Sequence, residues 1–315
     1  MNTVRFKLHE WELEICTEVP SYIQMLRMNL PDYLKHSSQK NRTRKSERGK
    51  ICFNIYHRTG SEKGITSELN QKAISRLKQH GFCQIVDTKT RNVSTFLNAN
   101  RKIQDSALYH GGFLYPLFLN LLRFRAALIH ASLVSKGNSG ILIAGQSGAG
   151  KSTLSLSFLR QGFTYFSDEH PIVELNKGKI IGRSFMNRIS IPSLSAKKNF
   201  PDLKKNLEWN SNIRKFYFNH VSKNGSLSAT CSIDKILFPK FHRHGTFSIR
   251  RLKPIELFEQ LTQDDYFFLN TQDSFKNNLG QNHLRIMMKL AGRAGFVMNY
   301  GPTDIGNLPA SIENL

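Results

Sequence analysis

The sequence is short of acid. Across 315 residues, 23 Asp and Glu stand against 45 Lys and Arg, a formal net charge of +22. Such a surplus favours partners that carry phosphates, carboxylates or an anionic membrane face, and does not choose among them. A Lys- and Asn-rich composition is also a habit of ordinary folds, so nucleic acid is not the expected partner. Cysteine is scarce: four residues, at 16, 52, 83 and 231, none in a C-x-x-C pair. That excludes a zinc framework and a secreted disulfide scaffold, and points to reduced thiols. Glycine (21) and proline (10) are too few for a collagen-like or low-complexity chain. Long apolar runs are missing too. The most apolar stretch, residues 113–134, is broken by Pro116, Asn120, Arg123, Arg125 and His130, a poor membrane span. The opening MNTVRFKLHEWELEIC places Glu10, Glu12 and Glu14 where a secretory leader needs apolar residues. These absences predict a cytoplasmic protein without a membrane span.

The length is ample for a real core and predicts two domains. Residues 5–16 read as strand-like pieces, residues 21–34 as a short helix after Pro20, and Ile51–His57 as a strand. Glu68–His80 has a helical pattern, and Phe82–Asp87 is another short strand. Residues 36–50 contain no apolar side chain and read as a solvated basic loop, a surface insertion more than an anion-docking tail. Residues 1–105 are therefore expected to form a small α/β domain without a catalytic constellation, and residues 106–315 a catalytic domain. There, Phe113–Phe124 reads as a buried helix and Ala127–Val134 as a strand. Turn residues follow at 136–140, then the buried strand Gly140–Ala144, which predicts a hairpin.

Residues 145–152, GQSGAGKS, fit G-x-x-x-x-G-K-[ST] at Gly145, Gly150, Lys151 and Ser152. A polyphosphate is a cluster of anionic oxygens that backbone N–H groups must approach closely. Glycine permits that approach, and the helix that follows turns its positive end to the anion. The expected nucleotide site is Gly145, Gln146, Ser147, Gly148, Ala149, Gly150, Lys151, Ser152 and Thr153. Lys151 is to reach the β and γ phosphates, and Ser152 to place its hydroxyl on Mg²⁺. The bare pattern arises by chance in roughly one chain of this length in a hundred. Context sharpens it: a buried strand precedes the loop, Leu154, Phe158 and Leu159 form an apolar stripe after it, and Gly162 stands where a helix cap belongs.

Phe163–Ser167 reads as a strand that ends in Asp168 and Glu169. Strand ends beside a phosphate loop are where Mg²⁺ and a catalytic base belong. Ser167 follows Lys151 by only sixteen positions, one helix and a turn. Motor ATPases and GTPases place their acidic strand farther along, and no LSGGQ-like or NKxD-like segment is present.

Residues 128–169, LIHASLVSKGNSGILIAGQSGAGKSTLSLSFLRQGFTYFSDE, resemble the core of the HPr kinase/phosphorylase superfamily, whose fold is shared with phosphoenolpyruvate carboxykinases. The resemblance implies an α/β fold with a P-loop kinase core of the HPr kinase C-terminal type. It matches His130 to a histidine near the phosphates, Lys151 to the loop lysine and Ser152 to the magnesium hydroxyl. Asp168 matches the base that takes the proton from the acceptor serine, and Glu169 a magnesium ligand. A downstream block such as IDKILFPKF, a helical C-terminus and homo-oligomers also belong to that resemblance. The chain departs from the family in having Asp-Glu for two aspartates, and GRSFMNRISIPSLS where a glycine-rich second signature is expected. Both departures bear on recognition of HPr and on a phosphorylase back-reaction more than on phosphoryl transfer.

The expected function is an ATP- and Mg²⁺-dependent kinase acting on a hydroxyl, Ser or Thr of a protein or peptide, with Asp168, Lys151 and His130 catalytic and Ser152 and Glu169 on the metal. Arg183 and Arg188 are candidate phosphate clamps, and the basic run at 197–215 a lid or a solvated face. A small-molecule kinase for serine or a sugar, a non-catalytic ATP-binding module and a nucleic-acid-stimulated ATPase remain open alternatives.

Overall fold

The computed structural model describes residues 2–30, 49–58, 74–79, 82–98, 103–185, 188–192, 207–210, 215–219, 230–242, 247–263, 265, 278–305 and 308–313. The chain divides into two compact units, Met1–Phe124 and Arg125–Leu315, and both mix strands with helices.

In the first unit, β1 (Asn2–Leu8), β2 (Trp11–Thr17), β3 (Gly49–Arg58), β4 (Ile74–Gln79), β5 (Phe82–Asp87) and β6 (Asn92–Asn98) form one sheet in the order β1-β2-β3-β6-β5-β4. Alternate residues face its core: Phe6 and Leu8, Leu13 and Ile15, Phe53 and Ile55 are all buried. Helix α1 (Pro20–Asn29) begins on a proline, whose missing N–H has no intrahelical partner to lose there. A π-helical stretch, Leu108–Leu114, runs into α2 (Tyr115–Leu122). The carbonyl of Gly112 in that stretch accepts from the Tyr22 hydroxyl at 3.1 Å and from Gln84 Nε2 at 2.8 Å. Those bonds hold the helix in the first unit, so the division falls after Phe124 rather than at 105. The helix expected over 68–80 is corrected as well. Residues 74–79 are β4, paired antiparallel with β5 along their length. A strand edge with hydrogen bonds to offer overrode the local helical spacing; residues 59–73 and 80 lie outside the described residues, as does most of the basic stretch 36–50.

The second unit is built around β7 (Ala126–Leu128), β8 (Ala131–Lys136), β9 (Ser139–Ala144), β10 (Thr164–Ser167), β11 (Ile172–Asn176), β12 (Lys179–Arg183), β16 (Thr230–Phe241), β17 (Ser248–Arg251) and β18 (Ala294–Tyr300). Their order is β10-β8-β9-β16-β12-β11-β7, with β18 and then β17 branching from β16. The stretch IDKILFPKF is thus the axle of the sheet. One edge of β16 runs parallel to β9; the other pairs with β12 at its start and, in parallel, with β18 at its end. A separate small sheet holds β13 (Arg188–Pro192), β14 (Leu207–Asn210) and β15 (Lys215–Asn219). Helices α3 (Lys151–Arg160), α4 (Pro254–Gln263), α5 (Asn278–Ala291) and α6 (Leu308–Glu313) complete the unit.

The expected hairpin forms: β8 and β9 pair antiparallel from Ala131↔Ala144 to Lys136↔Ser139, closed by Gly137 (φ 57°) and Asn138. The single strand expected over 127–134 does not. It breaks at Ile129–His130 into β7 and β8, which join different parts of the sheet. Helix α3 lies where the sequence places it. It ends on Gly162 (φ 82°), with Phe163 N–H bonded to Phe158 O and Gly162 N–H to Leu159 O. The rings of Phe158 and Phe163, 4.7 Å apart, add the apolar contact of that cap. Leu154, Leu156 and Phe158 share one buried core with Val134, Ile141 and Ile143 of the hairpin.

Gly140 packs tightly on β16: a Cβ there would lie 2.5 Å from Ser232 O and 2.7 Å from Cys231 Sγ. Backbone cannot yield as a side-chain tip can, so Gly140→Ala is expected to destabilise by about 1–3 kcal/mol in urea unfolding. A second expectation concerns acid. Burial pushes the pKa of His283 on α5 down to about 3 from 6.5. Folded, the ring stays neutral; unfolded, it takes a proton below its ordinary value. Its contribution is complete above pH 6.5 and declines as pH falls from there toward 3, by up to about 1.4 kcal/mol per pH unit. Urea titrations at stepped pH should show that slope, and His283→Leu should flatten it.

Candidate active site

The loop between β9 and α3 has the backbone its glycines predict. Gly145, Gly148 and Gly150 have φ of 133°, 87° and 97°, a region other residues avoid. Gln146, Ser147 and Gly148 are exposed, while Ala149, Gly150, Ser152 and Thr153 are half-buried. The first amides of α3 have no acceptors within the helix and present the positive end of its dipole. Lys151 is buried and donates to Gly145 O at 2.6 Å and Gln146 O at 3.1 Å. Its ammonium is thereby folded over the loop that a phosphate would fill.

Strand β10 runs antiparallel to β8 and delivers Asp168 to the loop. Asp168, only 1% exposed, accepts three hydrogen bonds. Ser132 Oγ of β8 donates to Oδ1; Ser152 Oγ of α3, at 2.9 Å, and Ser190 N–H of β13, at 3.2 Å, donate to Oδ2. Three elements thus fix one carboxylate. The sequence paired Ser152 with Glu169 on the metal; the structure bonds Ser152 to Asp168. Glu169 itself is half-buried, with φ 70°. A left-handed non-glycine residue costs about 1–3 kcal/mol and persists where its surroundings enforce it.

The enforcement comes from two chain crossings. At residues 129–130 the chain passes from β7 to β8, and at 168–171 from β10 to β11. The crossings are tied by Ala131 N–H to Glu169 O at 3.1 Å and Ile129 N–H to Pro171 O at 3.2 Å. His130 sits in the first crossing, half-buried, with its ring 5.9 Å from that of His170 in the second. His130 is thus brought to the acidic pair, not through a strand but through the break in one.

Arg183 does not join this group. It is buried and donates through Nε to Glu174 Oε2 at 2.7 Å, a buried ion pair between β12 and β11. The side chain of Arg188 lies outside the described residues, as does most of the 197–215 run. Sequence reasoning missed Ser132, Ser190, His170 and Tyr300. His170 adjoins the acidic pair and is recoverable by adjacency. Ser132 and Ser190 carry no signal, because strand register alone aims them at Asp168.

The donor set suits a magnesium–nucleotide. Loop amides and a lysine answer phosphate oxygens, and a hydroxyl beside a carboxylate is a hard oxygen pair for Mg²⁺. Among the described residues no three His, Cys, Asp or Glu side chains gather as a metal cage. Mg²⁺ in such sites takes its other ligands from phosphates and water. Among the described residues, no helix is long and apolar enough to cross a membrane.

No family model matches the chain. Among curated proteins it is similar to the HPr kinase/phosphorylase of Mycoplasma mycoides subsp. mycoides SC, 23% identical over 193 residues. That match covers 58% of this chain, and the chain spans 59% of the length of that relative. Among solved structures it matches the HPr(Ser) kinase/phosphatase from Coxiella burnetii with 15% identity and a TM-score of 0.30, covering 60% of this chain and 87% of that one.

The convergence on Asp168 is testable without any ligand. Ser132→Ala removes a buried donor from a buried carboxylate and is expected to destabilise by about 1–3 kcal/mol. The loss should shrink in an Asp168→Asn background, which a double-mutant cycle in urea would read out.

Proposed function

We propose that this chain, similar over 193 residues to an HPr kinase/phosphorylase, is an ATP-dependent phosphotransferase that moves the γ-phosphoryl group to a hydroxyl, Ser or Thr of a protein or peptide. The observation that carries the reading is the 2.9 Å bond from Ser152 to Asp168. It joins the phosphate loop to the acidic strand end, the two parts such a transfer needs side by side.

The chain's own residues divide the work. The amides from Gly148 to Thr153 cradle the phosphates, and Lys151 exchanges the carbonyls of Gly145 and Gln146 for phosphate oxygens. Ser152 and Glu169 would hold Mg²⁺, which would supply charge neutralisation to the nucleotide phosphates. With its hydroxyl on the metal, Ser152 would release Asp168 Oδ2, which keeps the Ser190 amide. Asp168, still aimed by Ser132 and Ser190, takes the proton of the acceptor hydroxyl. The acceptor oxygen bonds to the γ phosphorus as the bond to the β-bridging oxygen breaks, releasing ADP. His130 faces the same crossing and adds a donor near the transferring group. Positioning and fixed charge supply most of such catalysis.

The same Ser152–Asp168 bond favours a second reading, in which Asp168 rather than Glu169 shares the metal with Ser152. Asp168→Asn separates the two. A base is expected to lose transfer by several hundred-fold or more while Mg–ATP affinity changes little; a metal ligand is expected to lose the Mg²⁺-dependent part of that affinity. The transfer assay uses γ-labelled ATP and Mg²⁺ with a lysate of the source cells, and follows label into protein, small molecules and free phosphate. Label in protein, absent with Lys151→Ala, is the expected result. Label in a small molecule would move the acceptor class, and label remaining on bound ATP would leave a regulatory module.

A further inference from the structure

Tyr300 ends β18, two strands across the sheet from the strand that feeds the phosphate loop. β18 and β16 pair as far as Phe241↔Tyr300, whereas the pairing of β16 with β9 stops at Leu237↔Ile143. The two outlast β9 and stand beside the loop, at the carboxyl ends of parallel strands where α/β folds bind ligands. From there Tyr300 reaches back to Gly150. Its hydroxyl lies 2.0 Å from where a Cβ of residue 150 would be, and its Cζ 3.2 Å. The residue is 1% exposed, and among the described residues its hydroxyl has no hydrogen-bond partner. Phe241 packs edge-on against the ring, with centroids 5.5 Å apart, and fixes its plane.

A phenylalanine would fill nearly the same space without burying an unpaired hydroxyl, which ordinarily destabilises a fold. The oxygen therefore has to be accounted for where it sits, and it sits against the residue that caps α3. Gly150 is left-handed, and its φ and ψ set the directions of its own N–H and of the Lys151 N–H, two of the amides that meet phosphate. Burial pushes the Tyr300 pKa up, so the hydroxyl keeps its proton throughout the neutral range.

We propose that Tyr300 is a positioning residue of the phosphate loop: its hydroxyl, seated in the side-chain space of Gly150, holds the loop amides in the anion-binding arrangement. It is not a catalytic residue, because it acts through Gly150. The inference deepens the nucleotide-binding reading and rests on it. It also gives residue 150 a second reason to be glycine, since the space beside its Cα is taken as well as its φ being positive.

The test compares wild type with Tyr300→Phe by calorimetric titration with Mg–ATP and by thermal unfolding with and without it. Removing an unpaired buried oxygen is expected to leave the ligand-free melting temperature unchanged or raise it, while Mg–ATP affinity falls about tenfold and the ligand-induced shift shrinks with it. A merely structural tyrosine would do the reverse, with melting lowered and affinity kept, and that result overturns the proposal. Equal affinity in both proteins overturns it too. Wild type that binds no Mg–ATP would overturn the nucleotide reading and this inference together, whereas failure of the inference alone leaves wild-type binding intact. Tyr300→Leu, which removes the ring and its contact with Phe241, is the control for lost packing: it is expected to lower melting, and the proposal requires that Tyr300→Phe does not.

Discussion

The carboxylate of Asp168 is held by a strand, a helix and a separate small sheet at once. A charged group so deeply buried is tolerated only where donors meet it, and here they arrive from β8, α3 and β13. Each donor presupposes a piece of architecture. Ser132 requires the β8–β9 hairpin in register, Ser152 requires the loop to turn into α3, and Ser190 requires the small sheet to dock where it does. The site is less a pocket added to a fold than the point at which these parts share one hydrogen-bond acceptor.

The sheet supplies the frame for that point. β16 carries β9 on one edge and divides the other between β12 and β18. The branching lets the chain cross twice beside the loop, and the crossings put His130, Glu169 and His170 next to Asp168. The left-handed Glu169 fits this account: its carbonyl is needed by Ala131, so the backbone is bent to offer it. On the far side, β18 extends past the loop strand and brings Tyr300 against Gly150. One long central strand thus positions both the acidic side of the loop and its back.

Much of this was legible in advance wherever a physical demand is local. The glycine backbone of the loop, the helix after it with its Gly162 cap and the hairpin before it are all fixed by neighbours within a few residues. Local reading failed where a distant partner decided. Residues 74–79 became a strand because β5 offered an edge. Residues 126–136 broke in two because their halves found different partners. Arg183 was taken by Glu174, nine residues earlier along a hairpin, before it could serve a phosphate.

By itself, then, the sequence determined the chemistry offered at residues 145–169: amides freed by glycine, the lysine Lys151, the loop hydroxyl of Ser152 and the carboxylates of Asp168 and Glu169, spaced so that strand, loop, helix and strand follow in order. Glycine φ values, helix caps and two-residue turns are governed by short-range sterics and hydrogen bonds, which is why that segment can be read without its surroundings. The tertiary structure decided which carboxylate meets the loop serine, that Ser132 and Ser190 serve Asp168, and that Tyr300 fills the space at Gly150. Those contacts join residues 16 to 150 positions apart. They depend on strand register and sheet order, which emerge only when the whole second unit buries its core.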